Sequence, residues 1–256
     1  MWRTGPNSRS GFTLIELLVV VALISVIAAL IVPAGWKVYE DASLAVSANN
    51  LRQLSVGGIN YLSEHNQIYW RYRDVAPPGQ TGTTWWYGFE SAASKAMPEG
   101  ERTFDANLGP LAGYVPAGVK PDPSFSMGGS AFKPKYQFGY VGIGYNVLLG
   151  GGWLGLTNSL KGTSMNHPGQ VVVFSTSAQV NNFQAPASVN NPMIEEFYGI
   201  DDTQVTVHFR HHGHAMVTFA DGSAGFLPMD PTTKDKRLPK ANVGRFAPGG
   251  STLYLQ

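Results

Sequence analysis

Hydrophobic residues crowd into one block near the start of the chain. Between Phe12 and Gly35 the only side-chain charge is Glu16, and residues 17–34 are nearly all Leu, Ile, Val or Ala. As a helix, that block crosses most of a ~30 Å hydrocarbon core. The pattern then turns amphipathic. Leu44, Ala48, Leu51, Leu54, Ile59 and Leu62 fall within an arc of about 140° at helical spacing. Asn49, Arg52, Gln53, Asn60 and Glu64 lie across from them. The two stretches predict one helix over 12–65, membrane-spanning over about 12–34 and roughly 80 Å long. Pro33 removes one backbone hydrogen bond and predicts a kink. The Gly57-Gly58 pair predicts a weak point, because glycine is a poor helix former.

After Asn66 the period changes. Strands are expected over 136–149, 170–175, 204–209, 215–220 and 223–227, with 102–132 as Gly- and Pro-rich loop around at most one short helix. The clearest alternation is at 204–209, where Val205, Val207 and Phe209 take one face and polar residues the other. Asp221-Gly222 predicts a two-residue hairpin of type I′, which would set Gly213 opposite Asp230. Residues 69–89 hold Tyr69, Trp70, Tyr72, Trp85, Trp86, Tyr87 and Phe89. These rings could stack on a sugar or partner, but aromatics dominate core burial, and the core reading is favoured.

Composition narrows the class of function. Charged residues are 14% and the net charge is +1, so no charge field points to nucleic acid. Cysteine is absent, which excludes disulfides and thiolate chemistry. The apolar block is longer than the usual core of a secretory signal and lacks a clean small-x-small cleavage pattern after it.

The residues Gly11-Phe12-Thr13-Leu14-Ile15-Glu16, preceded by Arg3 and Arg9, resemble the processing site of type IV prepilins and type II secretion pseudopilins. The resemblance implies a leader over 1–11, removed by a prepilin peptidase after Gly11, with the new Phe12 amine methylated. It implies a pilin-like α+β fold, a long N-terminal transmembrane helix packed on an antiparallel β-sheet. It places residues 66–256 in the periplasm, anchored by a single inner-membrane span. Partners would be other pilin-like subunits and a secretion or pilus assembly platform. Positive charge holds the leader on the cytoplasmic face. A carboxylate at Glu16 costs on the order of 2–3 kcal/mol in the bilayer unless paired. The Phe12 ammonium of the same or a neighbouring subunit is the expected counter-charge, which makes Glu16 an assembly residue.

His211, nine residues, then Asp221-Gly222 is similar to a C-terminal signature of many bacterial pilin-like proteins, which often place His where this chain has Ser223. His208, His211, His212 and His214 with nearby aspartates make a metal site conceivable. A strand between His211 and Asp221 would hold them apart, so a hydrogen-bonded polar strand end is favoured and no metal ligand or cofactor is assigned. Enzyme motifs are missing: no Gly-x-Ser-x-Gly, no phosphate loop, no His-Glu-x-x-His. The expected function is a non-enzymatic filament subunit. The alternatives are a membrane-anchored binding module for carbohydrate or protein that does not polymerise and, more weakly, a metal-dependent enzyme.

Overall fold

The structure, a computed structural model, describes residues 12–115, 118, 120–125, 131–137, 141–151 and 158–247, with the backbone alone at 33–37. The expected leader and Gly11 lie outside the described residues. Two compact units divide the chain, residues 1–42 and 43–256.

Helix α1 (Leu14–Glu64) begins in the first unit and supplies residues 43–64 to the second. It carries the apolar span Leu14–Val32, with mean hydropathy 3.1 and no part buried inside the protein. At about 1.5 Å per residue that span covers roughly 28 Å. The helix continues through Pro33, whose side chain lies outside the description.

The second unit is α+β. Its strands in chain order are β1 (Arg73–Asp74), β2 (Gly82–Trp85), β3 (Gly88–Ser91), β4 (Phe132–Lys133), β5 (Ile143–Asn146), β6 (Val172–Thr176) and β7 (Gln179–Asn181). They continue with β8 (Met193–Glu195), β9 (Gly199–Ile200), β10 (Val207–His208), β11 (His214–Phe219), β12 (Ala224–Pro228) and β13 (Val243–Gly244). Two short helices, α2 (Ala92–Lys95) and α3 (Val147–Gly150), interrupt the series. The main sheet has the order β12-β11-β6-β5-β9 and is antiparallel except for its last pair, β5 with β9. Smaller sheets are β1-β2-β3, β4-β8-β7 and β10-β13.

The expected face of α1 is buried at Leu51, Leu54 and Leu62, which join Trp70, Tyr145, Phe174 and Met216 in the largest core cluster. Ile59 departs from that expectation and is 44% exposed. Ser43, Ser47, Asn50 and Ser55 are buried instead. The amphipathic reading overlooked them because it sorted positions by hydrophobicity alone. Gly57 and Gly58 are no weak point. A Cβ on Gly57 would stand 2.5 Å from Val115 Cγ2, and one on Gly58 would stand 2.7 Å from the Trp70 ring. The missing side chains let the rest of the domain approach the helix axis.

The aromatic run is core. Tyr69, Trp70, Tyr72, Trp86, Tyr87 and Phe89 are buried, and Trp70 stacks on Tyr145 at 4.9 Å. The Trp86 indole donates to the Tyr198 carbonyl (2.6 Å), so its polar edge is satisfied inside the protein. The buried Lys133 on β4 is likewise paired: it meets Glu99 and, at 3.2 Å, Glu195 on β8.

Three strand expectations need correction. In 136–149 the strand is confined to β5, because Asn146 turns the chain into α3 by accepting from Leu148 N–H (3.0 Å); residues 138–140 lie outside the description. In 204–209 only β10 is strand, and Thr206 and His208 are buried along with Val207 and Phe209. Both faces are covered, since this segment runs between β13 and the end of β6, where Thr176 Oγ1 donates to the His208 carbonyl (2.8 Å). The β11–β12 hairpin is not type I′. Gly222 N–H donates to Phe219 O (3.0 Å) and Phe219 N–H to Ser223 O (2.9 Å), with the left-handed position on Gly222 (φ +87°) alone. That is a type I turn closed by a glycine bulge. The extra loop residue shifts the register, so His214 faces Pro228 and Asp230 is not opposite Gly213.

Candidate functional site: the helix start and the C-terminal signature

In the first unit, Thr13 precedes the helix and Glu16 sits in its first turn. The Thr13 amide and hydroxyl both donate to Glu16 Oε2 at 2.8 Å, and Glu16 N–H returns a bond to Thr13 Oγ1 at 3.3 Å. This reciprocal pair is a capping box, which satisfies orphan donors at a helix start. The sequence carries its signal, Thr-x-x-Glu before an apolar run, which the reading of Glu16 as a charge partner passed over. Both bonds from Thr13 end on Oε2, so Oε1 is the oxygen left for an outside partner. Phe12, Leu14 and Ile15 are 80%, 79% and 74% exposed. The segment has an apolar surface all round and one carboxylate at its tip. Farther along, Ser25 Oγ donates to the Val21 carbonyl (2.8 Å), so this hydroxyl is satisfied within its own helix.

In the second unit, the signature residues stand at opposite ends of β11. His211 is buried and its backbone pairs with that of His214. Asp221 lies in the exposed hairpin loop, where its carboxylate accepts from Ser223 N–H (2.9 Å) and Oγ–H (2.6 Å). The two side chains are not brought together. The four histidines separate as well: His208 and His211 face inward, while His212 and His214 are exposed. Among the described residues no group of three or more His, Asp or Glu is placed to hold a metal ion.

Around His211 the chain builds a buried polar node that sequence reading did not foresee. Asp122 pairs with Arg210, whose Nη2 also donates to the Gly142 carbonyl (2.7 Å). Ser124 donates through its amide (2.9 Å) and hydroxyl (2.6 Å) to the same carboxylate. Helix α1 enters the node through Ser47, which bonds Asp122, and through Asn50 Nδ2, which donates to the Pro121 carbonyl (3.2 Å). His211 Nε2 lies 3.4 Å from Ser124 Oγ, and His208 Nδ1 lies 3.0 Å from Arg210 Nη1. Burial alone would raise the Asp122 carboxyl, but the Arg210 guanidinium and the hydroxyls of Ser124 and Ser47 hold it at about 2. Burial, then Arg210, pushes His211 down to about 4 and His208 well below its ordinary range. Both imidazoles are therefore neutral and the node's charge is one ion pair. Nothing in the isolated sequence pointed to Asp122, which comes from a Pro-rich loop far from Arg210.

Comparison with known families adds one finding. Residues 6–32 match the family model described as the prokaryotic N-terminal methylation motif. The chain thus carries a prepilin-type N terminus, and its apolar helix and α+β domain are consistent with a type IV pilin-like or pseudopilin architecture. The match covers the N-terminal segment and does not extend to the α+β domain. No curated protein and no solved structure gives a significant match to the chain.

Proposed function

We propose that this protein is a structural subunit of a type II secretion pseudopilus or a related type IV filament. One coincidence carries the reading: the methylation motif at 6–32 runs into a helix that begins at Leu14 and whose whole apolar span is unburied by its own chain. Such a surface needs either lipid or other helices of the same kind. Prepilin peptidase cuts after Gly11 and the Phe12 amine is methylated. The anchor holds the domain on the periplasmic face until the subunit passes into the filament. There Glu16 Oε1 meets a neighbour's Phe12 ammonium, and this pair sets the axial register of helices that are otherwise uniformly apolar.

Mass spectrometry of protein made with its own prepilin peptidase tests the first step. The expected chain begins at Phe12 and carries one added methyl group. A chain that still begins at Met1, or one cut after Ala34, overturns the proposal.

A second reading has one observation in its favour. A groove of about 600 Å3 runs past Tyr61, Ile68, Arg71, Asp74, Val75 and Thr84, mixing aromatic, charged and apolar lining as ligand grooves do. A membrane-anchored binding module would share the anchor and use this groove without polymerising. Cross-linking in the native host separates the two, since only the filament subunit yields ladders through the helix.

A further inference from the structure

Both ends of the His211–Asp221-Gly222 signature bear on helix α1. At the first end, Arg210 and His211 hold the node in which Ser47 of the helix meets Asp122. At the other, Gly222 stands so close to the helix that a Cβ on it would lie 2.7 Å from Ile59 Cδ1. This contact explains why Ile59 points toward the hairpin tip and not into the main core. Ser47 and Ile59 are twelve residues apart, about 18 Å along a helix. Strand β11, from His214 to Phe219, covers about 17 Å at strand rise. Strand and helix segment match in length, so one contact falls at each end of the strand.

Apolar contacts such as those of Leu51, Leu54 and Leu62 are non-directional and tolerate sliding along the helix. The two end contacts do not. A shift of the helix would part Ser47 from the buried Asp122 carboxylate and Asn50 Nδ2 from the Pro121 carbonyl, losing both hydrogen bonds between helix and loop. It would also drive Ile59 off Gly222, the residue of the hairpin loop that has no side chain.

We infer that the signature is a two-point clasp that fixes the axial position of helix residues 43–64 on the main sheet. Resting on the filament-subunit reading, the clasp is also where a pull along the helix during assembly passes into the domain. Arg210, His211 and Gly222 are positioning residues in this scheme, and none meets a substrate.

The test is hydrogen exchange on the full chain in detergent micelles, read at the amides of 43–64. Gly213 is the internal control: it shares the left-handed backbone (φ +79°) but has nothing within 4 Å of where a Cβ would stand. Gly222→Ala should lower protection around residues 55–62 about two- to threefold more than Gly213→Ala does, because it adds a contact with the end of the Ile59 side chain to the same backbone strain. Ile59→Ala combined with Gly222→Ala should remove that excess. At the far end, Ser47→Ala should loosen residues 43–50, and its effect should not add to that of Arg210→Gln. Equal losses for the two glycine variants, an excess that persists without Ile59, or loosening spread evenly over the domain would each refute the clasp. The measurement uses unassembled protein, so failure here leaves the filament reading standing, and failure to assemble leaves the clasp standing.

Discussion

The Asp122 carboxylate is the residue that most tightly joins burial, charge and hydrogen bonding in this domain. Its folded pKa of about 2 lies below the ordinary carboxylate value, so it stabilises the fold above that ordinary value. That contribution, about 2–3 kcal/mol, is lost as pH falls from about 4 to about 2. Asp122→Asn leaves Arg210 buried without its counter-ion and should cost about 3–5 kcal/mol near pH 7. Urea denaturation of both proteins should show the gap closing between pH 4 and pH 2; a gap independent of pH would rule out the ion pair as its source. His211 acts in a higher window. It is neutral when folded, down to about 4, while the unfolded chain takes up protons near 6.5. Stability should therefore fall as pH drops from 6.5 toward 4, and His211→Gln should make that part of the profile shallower, the remaining slope coming from the equally neutral His208. Glu16 carries the assembly prediction at this scale. Glu16→Leu should leave insertion and leader cleavage intact but reduce cross-linked filament, because the span stays apolar while the register pair is gone. It also removes the capping box with Thr13, worth about 1 kcal/mol. Glu16→Gln keeps the cap and loses only the charge, so equal assembly defects in the two variants would assign the effect to charge.

Among the elements, the extramembrane half of α1 shows where propensity and packing part company. Replacing Gly57 or Gly58 by alanine should gain roughly 1 kcal/mol of helix propensity. Packing reverses the sign. The new methyl on Gly57 meets Val115 at 2.5 Å and the Tyr114 carbonyl at 3.1 Å, and the one on Gly58 meets Trp70. Overpacking of this kind costs typically 1–3 kcal/mol, so both variants should melt below the wild type. Circular dichroism melts in detergent decide it, and a raised midpoint would show that the helix does not lie this close. The β11–β12 hairpin teaches the same lesson. Asp-Gly marked a turn correctly, but only Gly222 is left-handed, which makes the loop one residue longer and shifts the register, while its missing side chain leaves room for Ile59, 163 positions away.

For the molecule as a whole, the helix cannot be trimmed at the point where the sequence pattern changes. Leu51, Leu54 and Leu62 belong to the central core cluster, and Ser47 closes a buried polar node. A fragment beginning at Ser43 should fold as a monomer, whereas one beginning at Asn66 should expose that core and aggregate. Gel filtration and near-ultraviolet circular dichroism of the two fragments distinguish them. A compact fragment from Asn66 would show that the helix is only an appendage.

The sequence alone determined the anchor, the processing motif and the existence of an amphipathic extension. Each is local: an unbroken apolar run, a short contiguous motif, a period of 3.6. It also placed β6, β11 and β12 within a residue or two, since these strands carry their pattern in consecutive positions. Tertiary structure decided what the polar and small residues do. Ser47, Asp122 and Arg210 are unremarkable in isolation and become a unit because a loop, a helix and a strand end converge while water is excluded. Gly57, Gly58 and Gly222 read as breaks or turns, yet their role is set by the side chains that lie against them. Burial converts such residues from neutral to decisive, and burial depends on partners far away along the chain.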